Sequence, residues 1–72
     1  METYITDTIR VVIKTGNEIP FMIQTEQKAT ASSFPWEVQE DGWRPCVTET
    51  ASTLEDAQAK YERQIADERR WH

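Results

Sequence analysis

The chain reads as an α+β domain: a four-stranded antiparallel sheet, built as two hairpins, with one C-terminal helix packed on one face. Three observations predict it. Residues 4–15, YITDTIRVVIKT, alternate in polarity, the period-two signature of a half-buried strand. Asp41-Gly42 stands between two alternating runs, a strong hairpin signal because a type I′ turn needs positive φ at both central residues. After Ser52-Thr53 the apolar residues switch to helical spacing. At 72 residues the chain is expected to be a single ββββα domain, 1–72, and a domain of this size buries only about 60% of the surface its unfolded chain exposes.

In the first strand Ile5, Ile9, Val11 and Ile13 share one face, and Thr6, Thr8, Arg10, Val12 and Lys14 the other. Residues 19–25 supply the second strand, with Ile19, Phe21, Ile23 and Thr25 on one face. Pro20 has no donor, which suits a strand that lies at an edge or pairs late. A two-residue loop at Gly16-Asn17 would pair Ile13 with Pro20 and set the apolar faces against each other. A three-residue loop pairs Ile13 with Phe21 and Val11 with Ile23, and a five-residue loop keeps that parity. A one-residue slip flips every side chain, so a three- or five-residue loop is predicted. Residues 26–33, small and polar, read as a connecting loop.

A two-residue loop at Asp41-Gly42 pairs Glu40 with Trp43, Val38 with Pro45 and Trp36 with Val47. Trp36 and Trp43 then share a face with Val38 and Val47, while Glu37, Gln39, Arg44 and Cys46 take the other. For the helix, Ser52 or Thr53 is the N-cap, and Ser52-Thr53-Leu54-Glu55 matches a capping box. Leu54, Ala57, Tyr61 and Ile65 form the apolar stripe, and Asp56 stands four residues before Lys60. Glu55 and Asp56 suit the positive end of the helix, Arg69 and Arg70 the negative end. The predicted core is Ile9, Val11, Ile13, Phe21, Ile23, Trp36, Val38, Val47, Leu54, Ala57, Tyr61 and Ile65. One helix is a small cover for four strands, and Val12 and Met22 sit on the opposite face, so a monomer and a homodimer are both expected forms.

The charge narrows the function. The net charge is −5, with eight acids against four bases in residues 1–52 and five against four in residues 53–72. Phosphate binding needs clustered Lys and Arg, so direct nucleic-acid binding is not expected. Cys46 is the single cysteine and has no internal disulfide partner, which fits a reducing compartment, the cytoplasm. No apolar run reaches signal-peptide or membrane-spanning length, so no membrane partner is expected. One Cys and one His, His72, do not make a zinc set. Two glycines, Gly16 and Gly42, do not make a phosphate loop. Cys46 with His72 is the one nucleophile–base pair available, set against the plainer reading of a small sheet residue and a terminal His. No enzyme is expected, and no catalytic residue, metal or cofactor site.

What remains is protein binding. Carboxylates spread over a rigid sheet can imitate phosphates and engage a basic channel; Glu18, Glu26, Glu37, Glu40 and Asp41 are the candidates, against a reading in which they only confer solubility. Trp43 follows the turn and is expected at the sheet rim. Trp71, beside Arg69 and Arg70, has the composition of an interface hot spot, or folds back to plug the core. The expected partner-binding residues are therefore Glu37, Glu40, Asp41, Trp43 and Trp71, and the expected partner is a larger host protein or complex.

Asp41-Gly42-Trp43 followed by Thr53-Leu54-Glu55-Asp56-Ala57 resembles a pattern in small phage and prophage proteins, over roughly residues 35–70. That resemblance implies an accessory protein that binds and blocks host machinery, as anti-CRISPR and other anti-defence inhibitors do. The same segment is similar to the HicB-type antitoxin domain through Glu40-Asp41-Gly42 and Thr53-Leu54-Glu55-Asp56-Ala57, although that family's Pro-Asp-Leu-Pro-Gly stretch is replaced here by Arg44-Pro45-Cys46. This second resemblance implies an antitoxin-like or self-assembling domain that pairs through its sheet face or edge.

Overall fold

A computed structural model describes residues 2–29, 38–39 and 41–71. Strands β1 (Glu2–Thr6), β2 (Ile9–Lys14), β3 (Phe21–Lys28) and β4 (Trp43–Ala51) form one antiparallel sheet in the order β1-β2-β3-β4, and helix α1 (Leu54–Trp71) packs across it. The α+β class and the ββββα order are those expected. The strands, however, are cut from different places in the sequence.

The run 4–15 is a hairpin rather than one strand. Asp7-Thr8 turns the chain so that Thr6 lies opposite Ile9, and the Thr8 N–H donates to Thr6 Oγ1 at 3.2 Å. Such short side-chain-to-backbone bonds compete with a continuous ladder. Ile5 is an extra residue between the pairs Tyr4↔Arg10 and Thr6↔Ile9, and it still packs against the core.

Between β2 and β3 the register is Ile13↔Ile23 and Val11↔Thr25. This is the five-residue-loop pairing; the three-residue pairing of Ile13 with Phe21 does not form, but the apolar faces match as the parity argument requires. Pro20 stays outside the ladder, which begins at Phe21, and β3 is a central strand, not an edge. Residues 26–28, expected in a loop, continue β3.

Of the second expected hairpin, the turn and the second strand fall within the described residues. Among the described residues β4 pairs with β3, with Thr25 opposite Val47; Trp36, Glu37 and Glu40, and with them the expected pairs Trp36–Val47 and Glu40–Trp43, lie outside the described residues. The chain does turn here: the Gly42 N–H donates to the Gln39 carbonyl at 3.0 Å, and the Gln39 N–H to the Trp43 carbonyl at 2.7 Å. Gly42 has φ 87°, whereas no described non-glycine residue has positive φ. Asp41 therefore lacks the geometry a type I′ turn demands. Further along, Thr25 faces Val47 while Glu26 faces Pro45, so Cys46 is the extra residue of a bulge. The bulge inverts parity, and Trp43 and Val47 end on opposite faces instead of sharing one.

The core under α1 is Val11, Ile23, Ala51, Ala57 and Tyr61, with Ile5, Ile13, Phe21 and Ile65 packed against it. Val47 and Leu54, both expected inside, are 45% and 56% exposed. Ile9 and Val38 are half-buried. Polar bonds fix the helix as well. Gln64 accepts from Thr25 Oγ1 at 2.7 Å and donates to the Ile23 carbonyl at 3.2 Å and to Glu49 Oε1 at 3.1 Å, and the Tyr61 hydroxyl bonds that of Thr3. The N-cap is Thr53, whose Oγ1 accepts from the Asp56 N–H at 3.1 Å. The capping frame thus lies one residue later than Ser52–Glu55.

Candidate functional site

The face of the sheet away from α1 carries the molecule's main polar constellation. Arg10, Val12 and Lys14 of β2 face Glu26, Gln24 and Met22 of β3 in direct cross-strand pairs. Arg10 and Glu26 are buried, Glu26 completely. Arg10 Nε donates to Glu26 Oε1 at 2.8 Å, and its Nη1 lies 3.4 Å from Glu2 Oε2. Its Nη2 bonds Asp41. Lys14 Nζ donates to the second Glu26 oxygen at 3.0 Å, which also accepts from Gln39 Nε2. Each oxygen of this buried carboxylate therefore has a partner, which a charge taken from water requires.

Trp43 lies over this network. The Arg10 guanidinium carbon is 4.3 Å from its ring centroid, a cation–π contact in a largely desolvated place. Tyr4 meets the same indole edge-on at 6.0 Å. The Trp43 N–H donates to Asp41 Oδ1 at 3.1 Å. Gln39, Asp41 and Trp43 are thus clamped onto β2 and β3 from a segment remote in sequence.

The electrostatics follow from competing terms. Burial disfavours the Arg10 charge, but bonds to Glu26 and Asp41 outweigh it and hold the guanidinium above its usual range. Burial would push the Glu26 carboxyl up, yet bonds from Gln39, Lys14 and Arg10 hold it below the usual carboxylate range. Asp41 is likewise held down, with Arg10 and the Trp43 N–H overcoming its desolvation. Both carboxylates have lower pKa values folded than unfolded, so they stabilise the fold above the ordinary carboxylate range and cease to do so as pH falls. The expected result is a urea midpoint that drops as pH falls below about 4.5 and keeps dropping toward the depressed values. A midpoint unchanged down to pH ~2.5 would remove the network from the stability of the fold.

The expected partner-binding residues divide. Glu37 and Glu40 lie outside the described residues. Asp41 is exposed as a residue but bound to Arg10, and Trp43 is buried in internal packing rather than standing at a rim. Trp71 is 79% exposed at the end of α1 and does not plug the core. Of the other acids, Glu18 is exposed, while Glu26 belongs to the interior. Cys46 is exposed and free; His72 lies outside the described residues. Val12, expected on an open face, is 4% exposed. Arg10, Lys14 and Gln39 are the residues that the sequence reading missed. The signal for them was the cross-strand pairing of Arg10 with Glu26, which appears once β2 and β3 are set in the five-residue-loop register.

Among the described residues no group of three or more His, Cys, Asp or Glu is placed to hold a metal ion, and no helix is long and apolar enough to cross a membrane. No family model, curated protein or solved structure matches the chain.

Proposed function

We propose that this chain is a non-enzymatic, acidic protein-binding module that occupies a basic surface of a larger host protein. The reading includes a phage-derived inhibitor of a cytoplasmic defence or nucleic-acid-handling complex. The observation that carries it is the internal use of Arg10 and Lys14. Both cations of β2 are engaged by Glu26, Asp41 and Glu2, two bases with three acids, so the network carries −1 of the net charge of −5 and the remaining residues carry −4. The same network ties Gln39, Asp41 and Trp43 to β2 and β3, and residues already held in place lower the ordering cost of binding.

The test leaves Asp41 alone, because reversing its charge would break the Arg10 bond and confuse folding with binding. The double variant Glu37→Lys/Glu40→Lys, tagged and passed through bacterial lysate, is compared with the unaltered chain over a salt series. The unaltered chain should retain a nucleic-acid-handling or defence complex that elutes as salt rises, and the variant should bind it roughly tenfold or more weakly, with a shallower salt dependence. Equal retention by both would sink the proposal.

A further inference from the structure

Of the aspartates Asp7, Asp41, Asp56 and Asp67, only Asp41 is followed by glycine. That pair carries a chemistry of its own. The backbone nitrogen after an aspartate can attack the aspartyl Cγ, and a glycine nitrogen is the least hindered, because no Cβ stands beside it. In a free chain the Gly42 nitrogen bonds Asp41 Cγ. A carboxyl oxygen leaves as water, taking the acid proton and the amide hydrogen, and a cyclic imide results. Water then adds to one ring carbonyl and breaks its bond to the nitrogen. Addition at Cγ restores the aspartate. Addition at the former main-chain carbonyl leaves the chain running through Cβ and Cγ, an isoaspartate of unchanged mass. Water is the only co-reactant, and nothing is oxidised or reduced.

The turn holds each participant away from that path. Asp41 Oδ1 accepts from the Trp43 N–H at 3.1 Å, and Oδ2 accepts from Arg10 Nη2. Bonds to both oxygens must give way before Cγ can swing onto the Gly42 nitrogen. The Gly42 N–H is itself donated to the Gln39 carbonyl at 3.0 Å. Arg10 is the fixed end of the clamp, 7% exposed and bonded to Glu26. The same bonds keep the Asp41 carboxyl ionised, and an ionised carboxylate does not release an oxygen as water. Access is not the obstacle. The Asp41 side chain is 48% exposed, and among the described residues a Cβ built on Gly42 meets nothing within 4 Å.

We infer that Asp41-Gly42 is a latent isoaspartate site and that Arg10 is its guard. While the guanidinium holds the carboxylate, ring closure is suppressed; once the turn is released, ring closure proceeds. The product does not rebuild the clamp. Its carboxylate sits directly on Cα, one bond short of its present reach. One extra main-chain atom also enters the turn that Gln39 and Trp43 close. The modification therefore loosens the segment that covers Arg10 and Glu26, and the loosening persists after the turn closes again.

Incubation of the purified full chain at one pH and temperature tests this, with and without guanidinium chloride. Peptide mapping with electron-transfer fragmentation separates the two linkages of equal mass. Isoaspartate should accumulate at position 41 in the denatured chain, ahead of positions 7, 56 and 67. In the folded chain it should form about tenfold or more slowly, because a charge-assisted bond must break first. Arg10→Lys, which removes the planar fork, should recover much of the denatured rate while far-UV circular dichroism shows a folded chain. Ile23→Val, a core change on the other face, controls for general loss of stability and should form isoaspartate more slowly than Arg10→Lys. Equal rates in the folded and denatured chain, no isoaspartate at position 41 in the denatured chain, or an Arg10→Lys rate no higher than that of the unaltered chain or of Ile23→Val would each overturn the inference. The comparison within the unaltered chain needs no variant, so it decides the matter even where Arg10→Lys does not fold.

Discussion

Replacing Arg10 with methionine should destabilise the fold by about 3–5 kcal/mol, read as a fall in the urea midpoint. The loss of a cation leaves Glu26, a completely buried carboxylate, with only Lys14 and Gln39, and leaves Asp41 without its Arg10 bond. For a chain of this length total stability is about 4–11 kcal/mol, so the substitution removes a large share of it. The cause is the stranded charge more than the lost attraction, and a second substitution separates the two. In Arg10→Met/Glu26→Gln the carboxylate is gone, and the pair should be less destabilised than the sum of the single variants by about 1 kcal/mol or more. Trp43 emission should shift in both variants containing Arg10→Met, because the cation 4.3 Å from its ring is absent. An Arg10→Met midpoint within about 0.5 kcal/mol of the unaltered chain would mean that the guanidinium behaves as a surface group.

The second large effect lies on the other face. Ile23→Ala should cost about 2–5 kcal/mol, since Ile23 is fully buried at the centre of the sheet against α1. Leu54→Ala should cost no more than about 0.5 kcal/mol, although both residues belong to the core expected from the sequence. Leu54 opens the helix and is 56% exposed. Equal losses from the two substitutions would mean that the helix start packs more closely than described.

That contrast shows what periodicity reveals. It identifies the face a residue belongs to, and here it correctly gathered Val11, Ile13, Ile23, Ala57, Tyr61 and Ile65 under one helix. It does not locate the ends of the covered area, which is why Val47 and Leu54 were misplaced. Nor does alternation show where a strand turns back, because the 4–15 run keeps its pattern across the Asp7-Thr8 turn with the help of one extra residue. The Asp41-Gly42 signal was real as a turn, with Gln39 bonded to Trp43 across it, but silent about the pairing of β4 with β3. The polar network was the least legible part. It joins Arg10 and Lys14 to Gln39 and Asp41 across distant sequence, and only the β2–β3 register brings its first pair together.

The bulge at Cys46 has a consequence for how the sheet meets other chains. Among the described strands β4 is the outermost on its side, a nine-residue strand whose first residue accepts a backbone bond from Gln39, and an outermost strand is the ordinary template for runaway strand addition. Here an incoming strand meets Pro45, which has no N–H to offer, directly followed by the unpaired extra residue. The even spacing that cross-β growth relies on is broken halfway along the strand. The irregularity that turns Trp43 toward Arg10 thus also works as a guard against amyloid-like stacking.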